Sequence, residues 1–410
     1  MLSSNIPLPF PYGLINSIGK LLLSAKIPIA QLDADLLHNA AIKQVNLTDF
    51  GDPYYREGLA QLLESFRKDA NLNFLGRLRL HELIIDYLAS RLQMTDIRKR
   101  SPDIFNQPLI PPIIVTGMPR SGTTLLHRLL ASDPVNRGIP LWALIKPFLR
   151  DKKEIDHYRN RLTKRLNIAQ TIAPELDAKH LIRTDEPEEC LWALGITFTS
   201  IVFSVIVPAY SYVDWYLTQD RVKKYKEYHW ILQLYQSNEP TRRLALKAPE
   251  HVSSLSELLQ SIPNALIVQM HRDPVQCINS LNSLIYTGQL PTTDNLDVGR
   301  MADTNLQQRR IEMDRLLAAR KAHPGKVFDV SYEKLVTDPI GTVRSIYDHF
   351  GLVWSEAYEG ALNSYLRNNP KGKHGTHHYC SADFGQTDDE IAAGFEAYIE
   401  TFGKFIRKHS

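Results

Sequence analysis

Pro112-Ile113-Ile114-Val115-Thr116-Gly117-Met118-Pro119-Arg120-Ser121-Gly122-Thr123-Thr124-Leu125-Leu126 is the stretch on which the reading of the whole chain depends. Its first part is an apolar, β-branched run of the kind that makes a buried strand. The chain then turns through Gly117-Met118-Pro119-Arg120-Ser121-Gly122 and continues with Leu125, Leu126, Leu129 and Leu130 at helical spacing. A strand passing through a glycine-containing loop into a helix aims backbone N–H groups and a helix N-terminus at one point. That is an anion site, suited to a phosphate or sulfate. Arg120, Ser121, Thr123 and Thr124 add a charge and three hydroxyls to it.

Outward from the loop, the order of strand, turn and helix recurs. Ile110–Thr116, Arg243–Lys247, Ala265–Met270 and Val327–Val330 read as strands. Asp273-Pro274 and Asp338-Pro339 each supply an N-cap and a first helical residue, and the second of these helices stops at Gly351. Strands alternating with helices predict an α/β fold with a parallel sheet flanked by helices. Ligands of such sheets sit beyond the carboxyl ends of the strands, where Arg120, Lys247, His251, Arg272 and Tyr332 fall. Residues 1–105 form a helical N-terminal portion packed on the core, with helices at Ala30–Ala41, Tyr55–Asn71 and Leu75–Leu92. The α/β core covers 106–351, with a helical cap insertion at about 139–241. Trp192, Phe198, Phe203, Tyr210, Tyr212, Trp215 and Tyr216 in that insertion read as an apolar acceptor pocket as well as packing. Residues 352–410 are a tail with a basic loop at Asn369–Gly375 and an amphipathic helix after Thr387-Asp388-Asp389-Glu390.

Composition bounds the function. The 410 residues are 43% hydrophobic and 23% charged, as in an ordinary globular protein. A net charge of +3 leaves no global footprint for nucleic acid, and no such partner is expected. Cys190, Cys277 and Cys380 are scattered without metal-ligand spacing, so no metal is expected and a reduced, cytoplasmic chain is. Gly13–Ile27 is amphipathic; packing on the body of the protein is the first expectation and peripheral contact with the inner membrane face the second. The uncharged run Cys190–Pro208 is as long as a membrane span but reads as a buried helix lining an apolar substrate cavity. Nothing in the sequence sets the oligomeric state.

A Walker loop, GxxxxGK[ST], places a lysine on the terminal phosphates. Gly117 and Gly122 have that spacing, making the fold P-loop-like, but Thr123 stands where the lysine belongs. A nucleotide kinase or NTPase is therefore the alternative reading. Pro119-Arg120-Ser121-Gly122-Thr123-Thr124 instead resembles the 5′-phosphosulfate loop of sulfotransferases that use 3′-phosphoadenosine-5′-phosphosulfate (PAPS), in the Arg-containing form of the tyrosyl-protein and bacterial branches. Arg272 and Ser280 resemble the family's pair that grips the 3′-phosphate. Tyr332, in Val330-Ser331-Tyr332-Glu333-Lys334-Leu335, resembles the segment near the adenine, and Lys371-Gly372 the loop that closes on the cofactor. The N-terminal helices and Asp185-Glu186-Pro187-Glu188-Glu189 look like those of a large bacterial branch.

The resemblance implies metal-free, in-line sulfuryl transfer from PAPS to a hydroxyl or amine, leaving adenosine 3′,5′-bisphosphate. Arg120 would stabilise the developing charge and Ser121, Gly122, Thr123 and Thr124 would cradle the phosphosulfate. The apolar insertion points to a lipid, sterol or phenol as acceptor. For the base, Pro134–Arg150 contains no acidic residue to match the glutamate of the tyrosyl-protein enzymes. Lys247-Ala248-Pro249-Glu250-His251 is similar to the lysine and following histidine of the cytosolic enzymes, making His251 the first expectation. Glu186 is the second, since a carboxylate beside an apolar helix has a raised pKa. A protein that binds PAPS without transferring from it is the remaining alternative.

Overall fold

The computed structural model describes residues 2–369 and 380–406. Five parallel strands make one sheet: β1 (Ile113–Gly117), β2 (Asn136–Gly138), β3 (Arg243–Lys247), β4 (Leu266–His271) and β5 (Val327–Ser331). Their spatial order is β2-β3-β1-β4-β5. The alternation of strand side chains sorts the apolar residues into two cores. Ile113, Val115, Ala245, Val268 and Met270 pack with Leu126, Leu129 and Leu130 and with Val343, Ile346, Tyr347, Tyr358 and Leu362 from the helices Pro339–Phe350 and Glu356–Asn368. Ile114, Leu244, Leu246 and Ile267 face the opposite way, into a larger core shared with the N-terminal helices and the insertion. Because the chain leaves β1 for one side of the sheet and later returns on the other, the loop after β1 sits at a topological switch point.

The four expected strands are present, and Asp273 and Asp338 cap their helices through Val275 N–H, Gln276 N–H and Gly341 N–H. β2 escapes a sequence reading because Asn-Arg-Gly has no apolar alternation; pairing of Asn136 with Arg243 makes it an edge strand. The tail after Gly385 holds two short helices, Asp388–Ala393 and Glu396–Phe402, rather than one, the first opened by a Thr387–Glu390 capping box.

Two expectations about apolar segments change and a third holds. Cys190–Pro208 is not one helix but Leu191–Leu194, a 3-10 turn at Gly195–Thr197 and Val202–Ile206, all in the core. Phe198, Phe203, Tyr212 and Tyr216 are buried, with Phe198 stacked on Phe203, so most of the aromatics of the insertion build the core and do not line a pocket. The helix Tyr12–Ser24 does pack on the body, but by its small and polar face. Gly19 lies against Phe74, and Asn16 Oδ1 accepts Phe74 N–H at 2.9 Å. Phe10, Leu14, Ile18 and Leu21 stay exposed. No helix among the described residues is long and apolar enough to cross a membrane.

Candidate active site

The loop from Gly117 to Gly122 is braced from beneath. Ser121 is fully buried and its hydroxyl donates to Met118 O at 2.6 Å, so it shapes the loop instead of opening to a ligand. Gly122 has φ +93°, and a Cβ there would lie 2.7 Å from Tyr332 Cδ2, so only glycine lets the loop pass under that ring. Arg120 also takes a left-handed conformation, φ +70°, which a side-chain-bearing residue adopts rarely and mostly at functional sites. Arg272 holds it there: its Nη1 donates to Arg120 O at 2.8 Å, and its guanidinium lies 4.1 Å from the centre of the Tyr332 ring. Arg120 Nε in turn donates to Ser280 Oγ at 3.0 Å. The structure thus gathers Arg120, Arg272, Ser280 and Tyr332, which are far apart in the chain, around one loop. Lys371 and Gly372 lie outside the described residues.

Arg120, Gly122, Thr123, Thr124, Arg272 and Tyr332 line a cavity of about 330 Å³. Its remaining wall is largely apolar, with Leu191, Trp192, Ile201, Val205 and Ile206 from the uncharged run. At the loop end Lys247 is buried at the terminus of β3, with Nζ 3.3 Å from Thr124 Oγ1 and paired with Glu189. Arg120 and Arg272 give the cavity a cationic side that opens into apolar space, and Lys247 lies just behind Thr124, buried and paired with Glu189.

The expected bases are elsewhere. Pro249–Ser254 forms a 3-10 turn tucked under the insertion, where Glu250 accepts from Lys224 Nζ at 2.5 Å, Ser200 Oγ at 2.8 Å and Tyr216 OH at 3.2 Å. That anchorage buries His251 completely, with Nδ1 2.8 Å from the Tyr225 hydroxyl. Burial, aided by the Lys224 charge, pushes its imidazole down to about 3. His251 is not part of the cavity wall, so its position does not suit a base. Nor is Glu186, which is 45% exposed and paired with Arg128 at 2.7 Å.

The acidic segment nevertheless delivers a carboxylate, three residues later. Gly138 allows it in, since a Cβ there would meet Pro187 Cγ at 2.6 Å, and Cys190 N–H donates to Lys247 O at 2.8 Å. Glu189 is thereby held at the end of β3 and lines the cavity. His180 lines it too, with Nε2 3.3 Å from Glu188 Oε1. Burial opposes charge on Glu188, but His180, Lys247 and the Glu189 N–H overcome it and hold the carboxyl well below its ordinary range. His180, Glu188 and Glu189 bring ligand atoms within 4.8 Å of one another, an arrangement that suits a cation. The Lys247 ammonium, 4.0 Å from Glu188 and closer to Glu189, supplies one. Glu189 stands inside the acidic run Asp185–Glu189 and is legible in the sequence to that extent; His180 carries no sequence signal.

A family model described as the sulfotransferase family matches residues 111–356. Omega-hydroxy-beta-dihydromenaquinone-9 sulfotransferase Stf3 of Mycobacterium tuberculosis (strain CDC 1551 / Oshkosh) is 28% identical over 273 residues, 63% of this chain and 67% of its own. Among solved structures, sulfotransferase STF1 of Mycobacterium tuberculosis H37Rv superposes with a TM-score of 0.78 at 30% identity, covering 89% of this chain and 98% of that one. Sulfotransferase STF9 of Mycobacterium avium gives 0.81 at 25% identity, covering 91% and 97%.

Proposed function

The chain belongs to the sulfotransferase family, and from that premise we propose that it moves the sulfuryl group of PAPS to a hydroxyl of an apolar acceptor. The observation that carries this reading is one cavity lined by the glycine-containing loop and the Arg120–Arg272 pair together with a largely apolar wall. PAPS has two anionic groups at opposite sides of one nucleoside. The loop N–H groups, Thr123, Thr124 and Lys247 fit its phosphosulfate, and Arg120, Arg272 and Ser280 fit its 3′-phosphate, with Tyr332 beside the adenosine. Bound there, it supplies a sulfur whose bond to the bridging oxygen breaks as the acceptor oxygen bonds to it, leaving adenosine 3′,5′-bisphosphate.

The residues of the chain then have separable tasks. Lys247, already against Thr124, meets the charge that develops at the loop; losing such a donor costs about 10²–10³ in rate. Glu189 takes the hydroxyl proton, its lone pairs freed as Lys247 turns toward the sulfuryl oxygens. Glu188 stays ionised and orients His180 at the same wall. The Stf3 relative acts, by its name, on a hydroxylated dihydromenaquinone, and the apolar wall here supports a lipophilic acceptor for this chain also. The exposed apolar residues Phe10, Leu14, Ile18 and Leu21 support peripheral contact with the lipid surface where such acceptors reside.

The test is incubation of the purified chain with radiolabelled PAPS and a bacterial lipid extract. Label should enter an organic-soluble product, and Glu189→Gln should prevent it while leaving adenosine 3′,5′-bisphosphate binding unchanged. Label that stays in nucleotide and sulfate with every lipid fraction would contradict the reading.

A further inference from the structure

Beside the first cavity lies a second of about 380 Å³, and the two share lining residues that include Arg79, Leu176, His180, Trp192 and Ile206. Helix Tyr12–Ser24, helix Phe74–Arg100 and helix Lys152–Ile172 enclose it, and Leu75, Leu83, Leu162 and Ile168 make much of its wall apolar. None of the loop residues reaches it. Arg79 stands at the junction. Its side chain is exposed and lines both cavities, and desolvation by the protein packed around it lowers its guanidinium to about 10.

The other charges on these walls are accounted for. Arg165 pairs with Glu82 and Asp86, Asp177 with Arg183, Glu189 with Lys247 and Arg309 with Glu312. Among the described residues Arg79 has neither an ion-pair nor a hydrogen-bond partner. Water in the open cavities can solvate it, but an apolar molecule filling them would strip that water and leave a bare charge. A filled cavity is compatible with Arg79 only if its occupant brings a compensating negative group. The donor is an unsuitable source, because the loop, Arg120 and Arg272 already match its anionic groups.

We propose that Arg79 selects the acceptor by receiving an anionic group, a carboxylate or phosphate, on a molecule whose apolar body fills the second cavity. The proposal rests on the sulfuryl-transfer reading, in that the same molecule presents its hydroxyl to Glu189. The acceptor class is then an anionic amphiphile rather than a neutral lipid alcohol.

Calorimetric titration of the full chain with decyl phosphate and with decan-1-ol, with and without saturating adenosine 3′,5′-bisphosphate, tests it. The wild type should bind decyl phosphate at least about tenfold more tightly, as a charge-assisted contact implies. Arg79→Met should abolish that preference and leave nucleotide affinity unchanged. Should the methionine variant misfold, Arg79→Gln is expected to lose the preference in the same way. Equal affinity of the wild type for the two probes, or a preference that survives the substitution, overturns the proposal. So does weakened nucleotide binding in Arg79→Met, which would assign Arg79 to the donor. Wild type that binds no nucleotide would instead defeat the sulfuryl-transfer reading, and the two alkyl probes would still decide the role of Arg79.

Discussion

Two side chains carry the residue-scale account, Glu189 because it lines the cavity and His251 because it does not. Glu189→Gln keeps the shape and the contact with Lys247 but removes the base, so turnover should fall about 10²–10⁴-fold at unchanged nucleotide affinity. If Glu189→Gln turns over normally while His180→Ala does not, the proton goes to His180. His251 makes a different prediction. Its folded pKa lies far below the unfolded value near 6.5, so the unfolded chain binds the extra proton first as pH falls. The stability contributed by neutral burial is complete above about pH 6.5 and declines toward the folded value, by up to about 1.4 kcal/mol per pH unit. Urea titrations at pH 7 and pH 5 should therefore show a smaller difference for His251→Phe than for wild type, by about 2 kcal/mol. An equal difference would mean that the imidazole titrates normally. The residue reads from sequence as a strand-end histidine at an active site. What sequence does not show is that Glu250, one position earlier, is anchored to Lys224, Ser200 and Tyr216 and draws the whole turn beneath the insertion.

At the scale of elements, the loop and the turn after β3 are the parts whose geometry matters most. Gly122→Ala should strain the loop by about 1–3 kcal/mol and push Tyr332 aside, raising the KM for PAPS more than that for acceptor. Parallel increases in both would show that the loop does not report on the donor alone. Lys224→Met leaves Glu250 buried without its counter-charge, and such losses cost about 3–5 kcal/mol; a drop of that order in unfolding free energy is expected. These elements differ in how far sequence reveals them. β1, β3, β4 and β5 are legible because apolar runs are followed by turn and capping residues, and the loop because its chemistry is local to eight positions. β2 is not, since three residues acquire strand geometry only by pairing with Arg243 and its neighbours. Glu189 needs Gly138, Pro187 and the Cys190–Lys247 hydrogen bond to bring it to the cavity. Arg79 lies within the expected helix Leu75–Leu92, where nothing in the local sequence marks it. Its isolation exists only once three helices have closed around it.

The whole molecule joins the cavity at the glycine-containing loop to a second, apolar one and leaves an apolar helix face exposed beside the latter. Tyr12 and Ile15 of that helix line the second cavity while Leu14, Ile18 and Leu21 face outward. Leu14→Glu with Leu21→Glu should reduce co-sedimentation with phosphatidylglycerol-containing vesicles and leave binding of adenosine 3′,5′-bisphosphate intact. Unchanged sedimentation would remove the membrane from the account. The central claim, that the loop and the Arg120–Arg272–Ser280 cluster hold a PAPS-type donor, is most directly tested by the thermal stability of the purified chain with ligand. Adenosine 3′,5′-bisphosphate at one hundred times its Kd should stabilise the folded state by about 2.7 kcal/mol, an effect that Arg272→Ala should diminish. No shift with the bisphosphate, together with clear stabilisation by magnesium-ATP, would contradict the account.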